Sequence, residues 1–242
     1  MPTYFISDLH LSPAVPHIAK GLSALLKNQA AKADALYILG DFFDAWIGDD
    51  EDNPAALQII NLLSQYTASG VPTFFMHGNR DFLVGERFTE ATGMKLLEEG
   101  QVISLYGRDA LLMHGDSLCT EDTEYMKFRA MVRNPAWQQQ VLSLPLEQRR
   151  QMAAKLRSES QSMNAMKASD IMDVTQSKVV EEMAAKNVDL LIHGHTHRPA
   201  KHSLQVNNQD AQRIVLGDWG NAGWYLKADT DGSLNLVEFP LN

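Results

Sequence analysis

The chain has 242 residues, 45% of them hydrophobic, a single cysteine and a formal net charge of −9. One thiol excludes an internal disulfide, and the acidic balance argues against general nucleic-acid binding, which needs a basic surface. No run of about 18 apolar residues marks a membrane span. The first chemistry-bearing residues are already at Asp8 and His10, so no secretion signal is expected, and Cys119 reads as a structural thiol in a reducing compartment.

Five short apolar runs, each closed by Gly, Asp, Asn or His, punctuate the chain. They are TYFISDLH (3–10), DALYILGD (34–41), VPTFFMHGNRD (71–81), RDALLMHGDS (108–117) and VDLLIHGHTH (188–197). Their length and their β-branched and aromatic content predict buried strands. Helices are expected between them. Over 17–33, Ile18, Leu22, Leu25 and Leu26 share a face; over 55–69, Leu57, Ile60, Leu63 and Tyr66 do so before Gly70 and Pro72; a third helix, over 170–186, is capped by Ser169. The tail 223–239 alternates around an Asp-Gly pair and reads as a hairpin. Strand–helix repetition of this kind predicts an α/β fold with a mostly parallel sheet.

The polar residues of interest all stand at the C-terminal ends of these strands, the edge where open α/β sheets build their sites. In order they are Asp8, His10, Asp41, Asn79, His114, His195 and His197. Gaps of 33, 38 and 35 residues separate Asp8, Asp41, Asn79 and His114, about one strand–helix–strand unit each. Seven oxygen and nitrogen donors with no sulfur suit hard or borderline divalent ions, and a set this large suits two ions sharing a carboxylate. His193, which precedes the glycine of GHTH, reads as a packing or hydrogen-bonding neighbour of the ligands.

These motifs, D-x-H, G-D, G-N, a later His and G-H-x-H, resemble those of the calcineurin-like metallophosphoesterases. The resemblance implies a four-layer α/β/β/α sandwich, with Asp8, His10 and His197 on one metal, Asn79, His114 and His195 on the other, and Asp41 between them. The departure is Arg80, where the broad pattern has a histidine that protonates the leaving group. A guanidinium stays protonated, so Arg80 can neutralise charge but cannot act as a general acid. The expected leaving group is therefore a phosphate from a phosphoanhydride. Asp41, Arg80 and His195 are the expected catalytic residues.

His114 and His195 are 81 residues apart, about twice the other gaps, and the excess near 120–168 is basic. Between 125 and 170 there are eight Lys and Arg against three Asp and Glu, and six of the 11 methionines fall between 126 and 172. The segment is expected to form a helical cap inserted in a single domain spanning 1–242. Arg157, Ser160, Asn164 and Lys167 share one helix face there, beside an apolar stripe of Met152, Leu156, Met163 and Met166.

The long segments ADALYILGDFFDAWIGDD, FFMHGNRDFL, LLMHGDSLCTED and KASDIMDV resemble the UDP-2,3-diacylglucosamine diphosphatases of lipid A biosynthesis. That family cleaves its substrate at the α-phosphorus with Mn²⁺ and yields UMP and 2,3-diacylglucosamine 1-phosphate. The match implies substrate contacts at Asn79, Arg80, Asp122, Tyr125, Arg157, Ser160, Asn164, Lys167 and His195. It also implies a monomer held peripherally on the cytoplasmic face of the inner membrane. The basic cap, with Arg149, Arg150 and Lys155, is the expected lipid contact. Two rival readings are a soluble pyrophosphatase acting on dinucleoside polyphosphates and a metal-free scaffold on the same fold. The filled set of ligand positions disfavours the scaffold.

Overall fold

Each core strand is apolar on both faces, which requires a layer on either side of it. In the computed structural model, which describes the backbone of residues 1–164 and 173–241 and the side chains of 1–159 and 173–241, this gives two stacked sheets between helices. The first half of the chain runs β1 (Thr3–Ile6), α1 (Pro16–Lys27), β2 (Ala35–Leu39), α2 (Pro54–Ala68), β3 (Thr73–Met76), α3 (Glu86–Thr92), β4 (Lys95–Leu97), β5 (Gln101–Leu105) and β6 (Arg108–Leu112). Three helices follow, α4 (Thr123–Val132), α5 (Pro135–Leu142) and α6 (Leu146–Asn164). The chain then continues through α7 (Gln176–Ala185), β7 (Leu190–His193), β8 (Ala200–Val206), β9 (Gln209–Val215), β10 (Ala222–Ala228) and β11 (Leu234–Pro240).

The first sheet has the order β11-β10-β1-β2-β3-β4 and the second β5-β6-β7-β9-β8. The core strands β1, β2, β3, β4 are mutually parallel, as are β6, β7 and β9; the outer hairpins are antiparallel. Strand alternation sorts the side chains into layers. Tyr4, Ile6, Leu36 and Ile38 face α1 and α2, and Phe5, Leu39, Ala110, Leu112, Leu190 and Ile192 fill the space between the sheets. Leu111, Met113 and Leu191 face α7 through Val179 and Met183. The four layers match the sandwich expected from the sequence.

Several local expectations shift. α1 ends at Lys27, six residues before the expected boundary, although Ile18, Leu22, Leu25 and Leu26 are all buried. α2 buries Ile59, Leu63 and Tyr66, whereas Leu57 is 48% exposed. Two residues separate Leu57 from Ile59, so at 100° per residue they lie on opposite sides of the helix. α7 starts at Gln176 with Thr175 at its N-cap; Ser169 lies outside the described residues. Four strands were not expected, β4, β5, β8 and β9. β8 is a largely exposed, polar edge strand, so it offers no apolar run to read.

Two of the three α6 basic residues expected to meet lipid, Arg149 and Arg150, are engaged within the protein. Arg149 is only 4% exposed; it donates to the carbonyls of Ile47 (2.6 Å) and Leu144 (3.0 Å) and pairs both guanidinium arms with Asp50. Arg150 pairs with Glu51 and Asp52 on the same loop. These arginines fasten α6 to residues 47–52. Lys155 alone of the three stays open, at 76% side-chain exposure. Arg149→Ala is expected to raise amide hydrogen exchange throughout α6 by about tenfold while leaving β1–β3 unchanged. Equal exchange in the two proteins would remove the fastening role.

Candidate metal centre

The C-terminal ends of the strands from both sheets converge at one edge, and the backbone there is held in an unusual state. Among the non-glycine residues with positive φ are Asp8 (56°), His10 (50°), Asp41 (50°), His195 (68°) and His197 (55°). The left-handed region is costly for side chains with a Cβ and collects at functional sites. Five of the seven expected ligands occupy it. Two close approaches make the arrangement possible. A Cβ on Gly78 would stand 2.2 Å from the Asp41 nitrogen, and one on Gly194 would stand 2.3 Å from Asp8 Oδ2. Only glycine lets these loops touch.

One residue braces the loops. Asp81 is fully buried; it accepts from the backbone nitrogens of Phe42 (2.7 Å), Gly78 (2.7 Å) and Asp41 (3.3 Å). The sequence pattern placed Asp81 beside Asn79 without giving it a role. Asp8 is tied in similarly, accepting from the Ser7 hydroxyl at 2.5 Å and the His195 nitrogen at 2.9 Å.

The donor atoms gather in two overlapping groups. Asp8, His10 and His197 offer ligand atoms within 4.8 Å of one another, as do Asp8, Asp41 and His114. His114 donates from Nδ1 to the Leu39 carbonyl (2.8 Å), which turns Nε2 toward Asn79 Oδ1 (3.0 Å) and Asp41 Oδ1 (3.6 Å). His195 packs edge-on to His114, with ring centroids 5.1 Å apart. The Nε2 atoms of His10 and His197 face each other at 3.3 Å, and Asp218 lies 3.8 Å behind His197 Nδ1. All seven expected ligands are thus brought to one edge.

This set fits divalent ions on two observations. Asp8 Oδ1 and His10 Nδ1 are buried without a hydrogen-bond partner, which a structure tolerates where another group completes the shell. The donors are imidazole, carboxylate and amide oxygen, the chemistry of borderline cations. The protonation states are pulled apart. Burial pushes Asp41 up to about 7, and burial likewise takes His10 down to about 3 and His195 to about 4. Burial opposes charge on His114, but Asp41 and Asp8 outweigh it and raise His114 to about 9. Asp8 stays below the usual carboxylate range despite burial, because His197, whose Nε2 lies 3.4 Å from Oδ1, and the neighbouring histidines add positive potential.

The residues expected to touch substrate divide. Arg80 Nε lies 3.3 Å from Asp41 Oδ2, and Asp44 collects both Arg80 (3.7 Å) and Arg157 (2.7 Å), a carboxylate that the sequence pattern did not single out. Asp122 caps α4 by accepting from Tyr125 N at 3.1 Å. Tyr125 donates its hydroxyl to Asp116 at 2.6 Å, and its ring centroid is 5.9 Å from that of His195. Asp116 is fully buried and also takes Arg129 at 2.9 Å, so it pins α4 to the floor of the site. Arg133 Nη2 adds a bond to Gly78 O at 2.9 Å. Ser160 and Asn164 lie on α6, where side chains are not described, and Lys167 lies outside the described residues. His193 is buried; its Nδ1 meets Gly194 O at 2.8 Å, and its Nε2 accepts from Arg213 at 3.1 Å.

The sequence profile of the calcineurin-like phosphoesterases matches residues 1–199. The chain belongs to the calcineurin-like phosphoesterase family. As a member it is a hydrolytic enzyme, and its donor set is that of a metal-dependent one. A UDP-2,3-diacylglucosamine hydrolase of Cellvibrio japonicus (strain Ueda107) is 55% identical to this phosphoesterase over 96% of the chain and 97% of its own length. One of the same name from Salmonella arizonae is 51% identical over the whole of both chains. Among solved structures, an archaeal phosphodiesterase aligns with 99% of this chain at 14% identity and a TM-score of 0.48.

His195→Ala and His197→Ala are expected to lower bound metal and turnover by at least about 100-fold, whereas His193→Ala, which removes a neighbour of the ligands, costs about tenfold. Metal analysis beside a turnover assay reads both. Metal uptake also competes with protons. His114, raised to about 9, and Asp41, raised to about 7, hold protons at pH 6 that coordination must displace. Affinity should therefore fall as pH drops from 8 to 6, by about tenfold per unit for each proton exchanged. A pH-independent isotherm would contradict this.

Proposed function

We propose that this phosphoesterase hydrolyses the diphosphate of UDP-2,3-diacylglucosamine by water attack at the α-phosphorus, giving UMP and 2,3-diacylglucosamine 1-phosphate. The supporting observation is a cavity of about 470 Å³ that begins at Asn79 and Arg80 and continues between Phe82, Phe128, Met131, Trp137, Met152 and Leu156. A chamber of that size leads apolar walls directly away from the metal edge, which suits acyl chains attached to a phosphorylated sugar. A dinucleoside polyphosphate would leave those walls without a partner. We treat the chain as one domain in which 120–168 is a helical cap, since α4, α5 and α6 supply most of the apolar wall.

The two ions, taken as Mn²⁺, would be held by Asp8, His10 and His197 and by Asn79, His114 and His195, with Asp41 between. When bound, they would supply Lewis acidity at the phosphoryl oxygens and acidify a water toward neutral pH. The chain's own residues do the rest. Arg80, beside Asp41, directs a permanent positive charge at the site where phosphoryl charge develops. Asp44 aligns Arg157 with Arg80, so two guanidinium groups meet the departing phosphate. Tyr125 is committed to Asp116, so its ring lies over His195 and its hydroxyl holds the cap shut against the floor.

Arg80 stands where the family pattern has a proton-donating histidine and cannot protonate an alkoxide, so a good leaving group is expected. In a leaving-group series, UDP-linked diphosphates should turn over at least about 1,000-fold faster than alkyl phosphodiesters, and Arg80→Ala should cost about 100–1,000-fold in kcat. Equal rates across the series would reject the reading. The same substrate class would bring the enzyme to a lipid surface. No described helix is long and apolar enough to cross a membrane. Met131, 45% exposed at the mouth of the cavity, and Lys127 beside it are the proposed contacts with anionic lipid. Met131→Asp should reduce flotation with anionic liposomes, and unchanged flotation would move the contact elsewhere.

A further inference from the structure

We propose that a second pocket, behind the loop that carries His195 and His197, binds a phosphate-type oxyanion. The pocket has a volume of about 220 Å³ and is lined by Asp173, Thr196, Arg198, His202 and Arg213 among others; it shares no lining residue with the larger cavity. Arg213 pairs in register with Leu191, whose side chain faces the α7 layer. The pocket therefore opens on the outer face of the second sheet.

The case rests on two buried polar atoms without partners. Arg213 is 6% exposed, its Nη1 donates to His193 Nε2 at 3.1 Å, and its Nε has no hydrogen-bond partner. Thr196 Oγ1 is also buried and unpartnered. The Asp173 carboxylate, which bears on Arg213 electrostatically, makes its ion pair with Arg198 at 2.6 Å. His193 relieves one of the five N–H groups of Arg213 and brings no charge. A cation this deeply buried is costly unless an anion and further hydrogen bonds complete it.

The donors on the pocket wall define the ligand. A guanidinium offers paired N–H groups suited to a tetrahedral oxyanion, and the threonine hydroxyl adds a third donor. Arg213 and Arg198 both stand on the wall, beside the carboxylate of Asp173. The volume exceeds the about 30 Å³ share of a water several times, which leaves room for a phosphate and its first waters. Bound there, the anion would tie the ligand loop to β9. Thr196 sits between two expected metal ligands, and His193, the partner of Arg213, lies two residues before His195.

The test is nitrogen-15 NMR of the Mg²⁺-loaded protein titrated with orthophosphate, following the Arg213 Nε–H and Thr196 amide signals. Saturable shifts are expected in the wild type and equally in Asp41→Asn, whose lesion lies at the metal edge. Thr196→Val should bind about tenfold more weakly, the loss of a hydrogen bond to a charged group, and Arg213→Met should not saturate. Loss of the shifts in Asp41→Asn would mean that they report phosphate at the metal centre, and would overturn the proposal. So would wild-type affinity in Thr196→Val, which serves if Arg213→Met fails to fold. Competition separates the sources: displacement by UMP identifies a phosphomonoester, displacement by short-chain phosphatidylglycerol a lipid headgroup, and displacement by neither leaves orthophosphate itself.

Discussion

Everything at the metal edge depends on backbone that turns left-handed where a side chain must point inward. Asp8, His10, Asp41, His195 and His197 all carry that conformation. A residue in it costs of order 1–3 kcal/mol, so five together must be held by their surroundings. For the Asp41 loop that restraint comes from Asp81. Its carboxylate gathers the nitrogens of two loops, and removing it would leave buried N–H groups without an acceptor. The rigid sandwich behind these loops converts local strain into fixed ligand positions. The same rigidity explains why ligands separated by 187 residues, Asp8 and His195, meet through a single hydrogen bond.

The helices α4, α5 and α6 follow a different logic. They add little to the buried hydrophobic core, to which Val132 and Val141 are their described contributions. Polar fastenings hold them: Tyr125 and Arg129 on Asp116, Arg133 on Gly78, Arg149 on Asp50 and Arg157 on Asp44. Elements fixed by charged contacts at a few points open more readily than elements fixed by apolar area. On the proposed function the cavity admits a lipid-sized group, and walls of that kind suit it. The apolar lining then meets the ligand without the helices being locked onto it.

Much of this was legible in the amino-acid order. Asp8, Asp41, Asn79, His114 and the GHTH histidines announce themselves because polar residues rarely follow buried strands at regular intervals. The two-sheet sandwich was read through the family resemblance, since strand alternation alone predicted only a parallel sheet. What stayed hidden has physical causes. Asp81 stands two residues from Asn79, and its neighbours on other loops cannot be seen in sequence. Arg149 counts as a surface charge in any tally of composition, yet loop 47–52 folds around it. The buried side of α2 is set by which neighbours it meets, so Leu57 and Ile59 exchanged roles. β8 carries alternating polar residues on an edge and gives no apolar signal.

The pairing of β1 with β10 has a consequence for how the enzyme comes into being. β1 carries the chain to Asp8, but its outer neighbour is residues 222–228, and the Trp219 nitrogen holds the Asp8 carbonyl at 3.0 Å. A growing chain leaves the ribosome with β1 unpaired on that side until residues 222–228 have been made. Pairing partners this distant in sequence form late, because the loop that joins them must be closed first. The edge that carries Asp8 is thus completed only once residues 219–228 are in place.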